Sequence, residues 1–487
     1  MNQEKESSSG ILTGRIKKTP SVLLDETVLR PQFAYELEHL LPFYLRIEKV
    51  MVVESVRLGL MTESAAQEIL HVLEQINEHT LTAESQDNMS DICFAIERYV
   101  ELHVTERSVT WHADRSRNDV QATAQLMFAR EQLLSVLAEL MAMSDIVQKQ
   151  AERTATLPMP GYTHYQPAQI ITVGFYLAAI NEQIGHTIDR LLSLYDKMNA
   201  CPLGAGAMAG LELAWNREQL AERLGFERPC RHALVSVASK EWMLHIGSEL
   251  STFSITLSRF ITDFITWGSS EYRFIDLPDE LSGISSAMPQ KKNFPVLERI
   301  RGKTAHMTAY YVDFAMAQRN TPFTNLVETA KEGGSNFIHL ISNANILFRL
   351  FTTVIEHLHF RENRMYQICS QEFFGGFSLA NKLSLQGRIP YRRAQVIAGR
   401  YIVWMMEHGR KPSDIDLNQL QQICREQGYK AGLSEVELRN VFDVEHSLYS
   451  KITLGSTHPK EVTCLLAQQK KEREIQRIQW KQAIDMI

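Results

Sequence analysis

Glycine and proline are missing from positions 60 to 157. Hairpins and tight turns rely on those two residues, so their absence over such a length excludes a fold of short strands there and points to long helices. Cysteine is scarce and scattered. Cys93, Cys201, Cys230, Cys369, Cys424 and Cys464 form no CxxC pair and no short-chain disulfide framework, so reduced thiols in a cytoplasmic protein are expected. No run of about 18 uninterrupted apolar residues occurs, and a membrane span is not expected. Nor is there an excess of positive charge: the formal net charge is -6 with 16 His, which offers nucleic acid or an acidic membrane no overall field. Cofactor and catalytic signatures are also lacking. There is no HExxH, no zinc-type Cys/His spacing and no GxSxG elbow, and His357 and His359 read as residues of a helix end. GAGAMAG at 204–210 is neither a GxGxxG nor a phosphate loop ending in GKS or GKT.

Apolar residues make up 44% and charged residues 22% of the 487, which argues against disorder or a fibrous repeat and favours two or three domains over one core. The first 20 residues are polar and lack an apolar run before a small-residue cleavage site, so they read as a mobile arm and not as a signal peptide. Leu126, Met127, Phe128, Leu133, Leu134, Leu137, Leu140, Met141 and Met143 recur at the spacing of a broad buried helix face. A second interval without glycine or proline, Ser335 to Phe374, carries Phe337, Ile338, Leu340, Ile341, Ile346, Leu347, Leu350 and Phe351, the pattern of a long core helix. These intervals predict an all-α protein with a helical bundle at its centre. Turn-rich segments concentrate near 158–170, 201–210, 278–295, 319–325, 374–392 and 453–459. Loops on a rigid helical scaffold are where chemistry is usually placed. The C-terminal QQKKEREIQRIQWK reads as a solvated terminal helix.

Three segments carry groups suited to binding an anion. GISSAMPQKKNFP, 283–295, places Ser285 and Ser286 after a permissive glycine and groups Lys291, Lys292 and Asn293 as donors; a serine-rich turn followed by solvated lysines has the same composition. GYTHYQPAQ, 161–169, puts Thr163 and His164 at what looks like the start of a helix, where free N–H groups face an anion; His164 as a hydrogen-bonded core histidine is the bland alternative. HADRSRND, 112–119, supplies Arg115, Ser116, Arg117 and Asn118 as donors for carboxylates, unless the arginines pair with Asp114 and Asp119.

HADRSRND, GYTHYQPAQ and SSAMPQKKN, in this order, resemble the three regions that build the active site in the fumarase/aspartase superfamily, and SRND with QKK resembles its argininosuccinate lyase branch. NACPLGAGAMAG, RGK at 301–303, GRIPYRRAQVIAGR and LGSTHPKEV extend the resemblance over nearly the whole chain. The resemblance implies a three-domain fold of that type with a central long-helix bundle, here divided as an arm at 1–20, an N-terminal helical domain at 21–111, the bundle at 112–370 and a C-terminal helical domain at 371–487. It implies a homotetramer whose active sites gather the three regions from three subunits, with no metal and no organic cofactor. It implies a lyase that splits a C–N bond to release fumarate from an N-substituted aspartate such as argininosuccinate, or runs that reaction in reverse. Ser285 then matches the catalytic base, His164 the histidine that assists proton transfer, and Glu298 the carboxylate paired with it. Lys291 and Asn293 hold the reacting carboxylate, with Asn118, Thr163, Arg117 and Ser116 around the rest of the succinyl unit.

The sequence departs from that pattern in the parts that recognise the amine. Asp114 stands where the family has glycine; it either meets a cationic amine of the substrate or is an exposed charge. In TPFTNLVETAKEG, 321–333, a shifted pairing recovers Lys331 of the family's Tyr, Gln and Lys but leaves Phe323 and Glu328 for the other two. The family's serine near the N-terminus has no counterpart in FAYELEHLLPFYL. The eliminating groups are kept together while the amine contacts change. This leaves two substrates open, argininosuccinate itself or a different amine adduct of aspartate; a catalytically silent structural relative would not need the kept groups.

Overall fold

The computed structural model describes residues 15–16, 18–105 and 109–487, so most of the expected arm, 1–20, lies outside the described residues. Helices dominate. Short helical segments, Val22–Leu24 and Asp25–Leu29, lead into α1 (Arg30–His39), and α2 (Leu41–Arg57), α3 (Glu63–Gln75) and α4 (Ile92–His103) follow. The stretch without glycine or proline nevertheless contains turns. Between α3 and α4, Asn88 Oδ1 accepts from the backbone N–H groups of Glu84 and Ser90 while its Nδ2 donates to the Thr82 carbonyl. A buried asparagine thus replaces the missing punctuation, and Met89 and Ser90 take positive φ without glycine.

The bundle follows: α5 (Arg117–Arg153), α6 (Val173–Met198), α7 (Glu241–Trp267), α8 (Pro295–Gln318) and α9 (Phe337–His357). The second expected long helix breaks at Leu358, where His359–Phe360 pairs with Ile275–Asp276. By composition α9 is apolar enough to cross a bilayer, but Phe337, Leu340, Ile341, Leu347, Phe348 and Phe351 are buried in the bundle. The stretch expected as one unit, 371–487, divides in its packing. Helices α10 (Gly376–Leu385), α11 (Tyr391–Glu407), α12 (Leu417–Glu426) and α13 (Glu435–Phe442) close over their own apolar cluster. The last helix, α14 (Pro459–Asp485), instead lies along α5 and α6. It is not simply solvated: Gln469, Arg473 and Gln476 are buried, and Arg473 Nε donates to Ser144 Oγ at 2.7 Å while Gln469 donates to the Ala178 carbonyl at 3.0 Å. A polar stripe at helical spacing tolerates burial because each group finds a partner in the bundle.

GYTHYQPAQ is not a helix start. It forms a hairpin of β1 (Pro158–Thr163) and β2 (Gln166–Thr172), and the helix begins only at α6, capped by Thr172, whose hydroxyl accepts from Phe175 N–H at 3.0 Å. Residues that precede proline are pushed out of helical geometry, and Met159 before Pro160 and Gln166 before Pro167 hold the segment extended.

Candidate active site

Helix α5 sets the distances. At 37 residues it is about 55 Å long, with HADRSRND entering its first turn and the hairpin starting shortly after its end. Asn118 and His164 therefore stand at opposite ends of the bundle, and one chain alone does not bring them together.

At the first end every charged group of the motif has a protein partner. Ser116 caps α5 by accepting from Asn118 N–H at 3.2 Å. Arg115 is buried against Glu48 at 2.6 Å, with its Nε and Nη1 left without an acceptor. Arg117 pairs with Asp91 at 2.8 Å and lies over the Phe94 ring, yet keeps 53% of its side chain exposed. The pairing of these arginines with Asp114 and Asp119 weighed from sequence does not occur. Asp119 is buried and accepts from the N–H groups of Gly204 and Gly206, both at 2.9 Å, holding the glycine-rich loop against α5; burial pushes its carboxyl up to about 6 against the pull of those N–H groups. Asn118 Nδ2 donates to the Ala207 carbonyl of the same loop at 3.1 Å. Asp114, in the left-handed region at φ 58°, accepts from Glu212 N–H at 3.0 Å, Leu213 N–H at 2.8 Å and the Trp215 indole at 3.0 Å. Burial opposes its charge, but these donors hold its carboxyl below the usual value. Its carboxylate is a latch for that loop, neither a solvated charge nor a group turned to an amine. Glu48, Asp91 and the loop at 204–215 carry no local sequence signal for these roles, because the contacts span tens to a hundred positions.

At the other end Thr163, His164, Lys291 and Glu298 are exposed, and Ser285 and Asn293 are half-buried. The hairpin turns through two residues, His164 and Tyr165, at φ 53° and 61°. Both lie in the left-handed region that two-residue hairpins require and that asparagine and glycine usually fill; for side chains of this size it costs roughly 1–2 kcal/mol per residue. Thr163, His164 and Tyr165 project from the tip, and His164 lines a cavity of about 1070 Å³ between the hairpin, α6 and α7. Gly283 and Ile284 pair with Asn293 and Lys292, closing the Ser285 loop at its base. Gly283 is required there, since a Cβ would come within 2.8 Å of Pro295. The two lysines separate in role. Lys292 Nζ donates to the Leu277 carbonyl at 2.6 Å and pairs with Asp276 and Asp279, each at 3.2 Å. Lys291 is exposed at the loop edge and has no side-chain partner among the described residues. Ser285 Oγ accepts from Met288 N–H at 3.1 Å. Glu298 is exposed in the first turn of α8 and makes no hydrogen bond or ion pair with His164 within the chain. Among the described residues no three His, Cys, Asp or Glu side chains cluster as metal ligands.

Residues 27–308 match the model of a lyase family. The argininosuccinate lyase of Aquifex aeolicus (strain VF5) is 30% identical over 419 residues, 85% of this chain and 89% of that protein. That of Ruthia magnifica subsp. Calyptogena magnifica is 29% identical over 406 residues, 83% of each. Among solved structures, an EDDS lyase in complex with formate has a TM-score of 0.83 at 24% identity, covering 94% of this chain and 92% of that one. A class II fumarase from Schistosoma mansoni has a TM-score of 0.68 at 16% identity, over 85% and 94%. At these identities the structural likeness speaks for the shared helical-bundle fold.

Proposed function

Because the chain belongs to this lyase family, with argininosuccinate lyases among its relatives, we propose that it eliminates fumarate from an N-substituted aspartate by breaking a C–N bond, as a cytoplasmic homotetramer. Removing a proton next to a carboxylate produces a doubly charged aci-carboxylate, which is prohibitive unless fixed donors and positive charge surround the oxygens beforehand. Lys291 and Asn293 serve that charge. Ser285 takes the proton once loop closure excludes water and N–H groups surround the incipient alkoxide. His164, assisted by Glu298, relays protons. Thr163, Asn118, Arg117 and Ser116 hold the remaining succinyl carboxylate, and the half-exposed guanidinium of Arg117 still has donors to give.

The observation that carries this reading is the contrast between the two lysines of QKK. Lys292 is pinned to the base of the loop while the neighbouring Lys291, on the same loop as Ser285, has no side-chain partner among the described residues. A loop selected only to be a solvated turn has no use for that division. The left-handed His164 supports it too, because a strained residue that keeps a large polar side chain in a turn marks a functional constraint. Three copies meeting at one site would reunite groups that α5 separates. The test is an absorbance assay for fumarate with argininosuccinate and a panel of N-substituted aspartates, with Ser285→Ala as control. Release from none of them by the native enzyme would reject the reading.

A further inference from the structure

A second cavity, of about 290 Å³, opens between α1, α5, the start of α7 and the start of α9. Its walls are aromatic: Tyr35, Phe128, Trp242 and Phe337, with the Trp242 and Phe337 rings edge to face at 5.1 Å. On its floor Glu36 is only 3% exposed. Lys331 Nζ at 3.4 Å and Gln32 Nε2 at 3.4 Å both approach Glu36 Oε1, and Oε2 has no donor among the described residues. Gln125 is fixed in the wall, donating to the Ala330 carbonyl at 2.6 Å and accepting from buried Lys240 at 3.2 Å. Glu36 and the exposed Glu332 share the cavity lining with one ammonium, Lys331, and burial holds the Glu36 carboxyl above its ordinary value against the pull of that ammonium.

The cavity lies in line with the first corner of the candidate site. Arg117, Gln121, Gln125 and Phe128 follow one another at the spacing of a single α5 stripe, and Gln125 stands roughly 12 Å of helix rise beyond Arg117. Between them Gln121 buries an amide nitrogen that finds no acceptor among the described residues. Asp91, the partner of Arg117, lies near enough to act electrostatically on Glu36.

The resemblance already sets the amine arm of the adduct against Lys331, a lining residue of this cavity; we infer that the cavity selects an apolar arm ending in a cation on Glu36 Oε2, within an aromatic wall, over an arm ending in a carboxylate. The inference rests on the C–N lyase reading and names the substrate class of that site. An ammonium gains there from a desolvated carboxylate and from the aromatic rings together, and its charge draws the buried Glu36 carboxyl into the ionised form that burial opposes.

The test compares aspartates N-substituted with hexamethylenediamine, with hexylamine and with arginine, assayed by fumarate release. The diamine adduct should have the highest kcat/KM, and Glu36→Gln should cut its advantage over the hexylamine adduct by on the order of ten- to a hundred-fold. A preference for argininosuccinate, or an equal loss on all three adducts in E36Q, overturns the inference. A second measurement separates the two ideas. Free hexamethylenediamine should quench tryptophan fluorescence saturably in the native protein, with the signal lost in Trp242→Phe and the binding lost in Glu36→Gln. Quenching without fumarate release from any adduct would reject the lyase reading while leaving a cation site. Release without Glu36-dependent quenching would reject the cation site alone.

Discussion

The two ends of α5 treat the same kinds of residue in opposite ways. At the Arg117 end the charges of HADRSRND are locked to Glu48, Asp91 and the loop at 204–215. At the far end, among the described residues, Lys291 and His164 project without a side-chain partner and Ser285 Oγ meets only a backbone N–H. The first end is preorganised within one chain. The second is carried on a loop and a hairpin tip, the parts of a fold that move most readily. On the proposed function, such a division would combine a rigid carboxylate anchor with groups free to close over a substrate.

Four measurements put the difference between the two ends at risk, and the largest effect belongs to the open end. Ser285→Ala should lower fumarate release by about 10² to 10⁴ fold with an unchanged thermal midpoint, because Oγ holds only Met288 N–H; a lowered midpoint would make it a structural residue. At the locked end Glu48→Gln should cost stability, about 3–5 kcal/mol in urea unfolding, by leaving buried Arg115 unpaired. A change below about 1 kcal/mol would mean that the corner is no rigid anchor. Third, Lys291→Met should lower turnover roughly 10² to 10³ fold without altering unfolding, whereas Lys292→Met should mainly loosen the loop base. The reverse pattern would exchange their roles.

The smallest effect concerns pH at the locked end. Burial, then the nearby Glu101 and Glu48, push Glu97 up to about 7; burial, then Arg115, pushes His112 down to about 4. Although the two side chains are 3.9 Å apart, both are neutral between those values and form no ion pair there. The stability linked to Glu97 is present below its ordinary 4.5 and is lost as pH rises to about 7. That linked to His112 is present above 6.5 and is lost as pH falls to about 4. The slopes oppose each other, so the native melting temperature should vary little with pH in the shared window. Glu97→Gln should expose a rise with pH, and His112→Asn a fall. Parallel curves for all three proteins would contradict these shifts.

The fold class was legible because helical periodicity is a local property, written in residues three and four apart. The hairpin was misread as a helix start: GYTHYQPAQ contains good N-terminal residues, and only the prolines at 160 and 167 pointed the other way. Asp114 stood out as a departure from the family pattern, but its use as a loop latch depends on residues about a hundred positions away. The same distance hides the partners of Arg115 and Arg117. Which lysine of QKK is free was likewise unreadable, since adjacent identical side chains differ only in what the fold puts beside them.

By itself the sequence determined a helical bundle, the order of the three segments and the kinds of donor they carry, because backbone preference and side-chain chemistry belong to each residue and its near neighbours. The tertiary structure alone decided which charges are buried in pairs, which stay open, and that about 55 Å of helix divides them. Burial, pairing and separation are set by segments far apart in the chain that meet only when it folds.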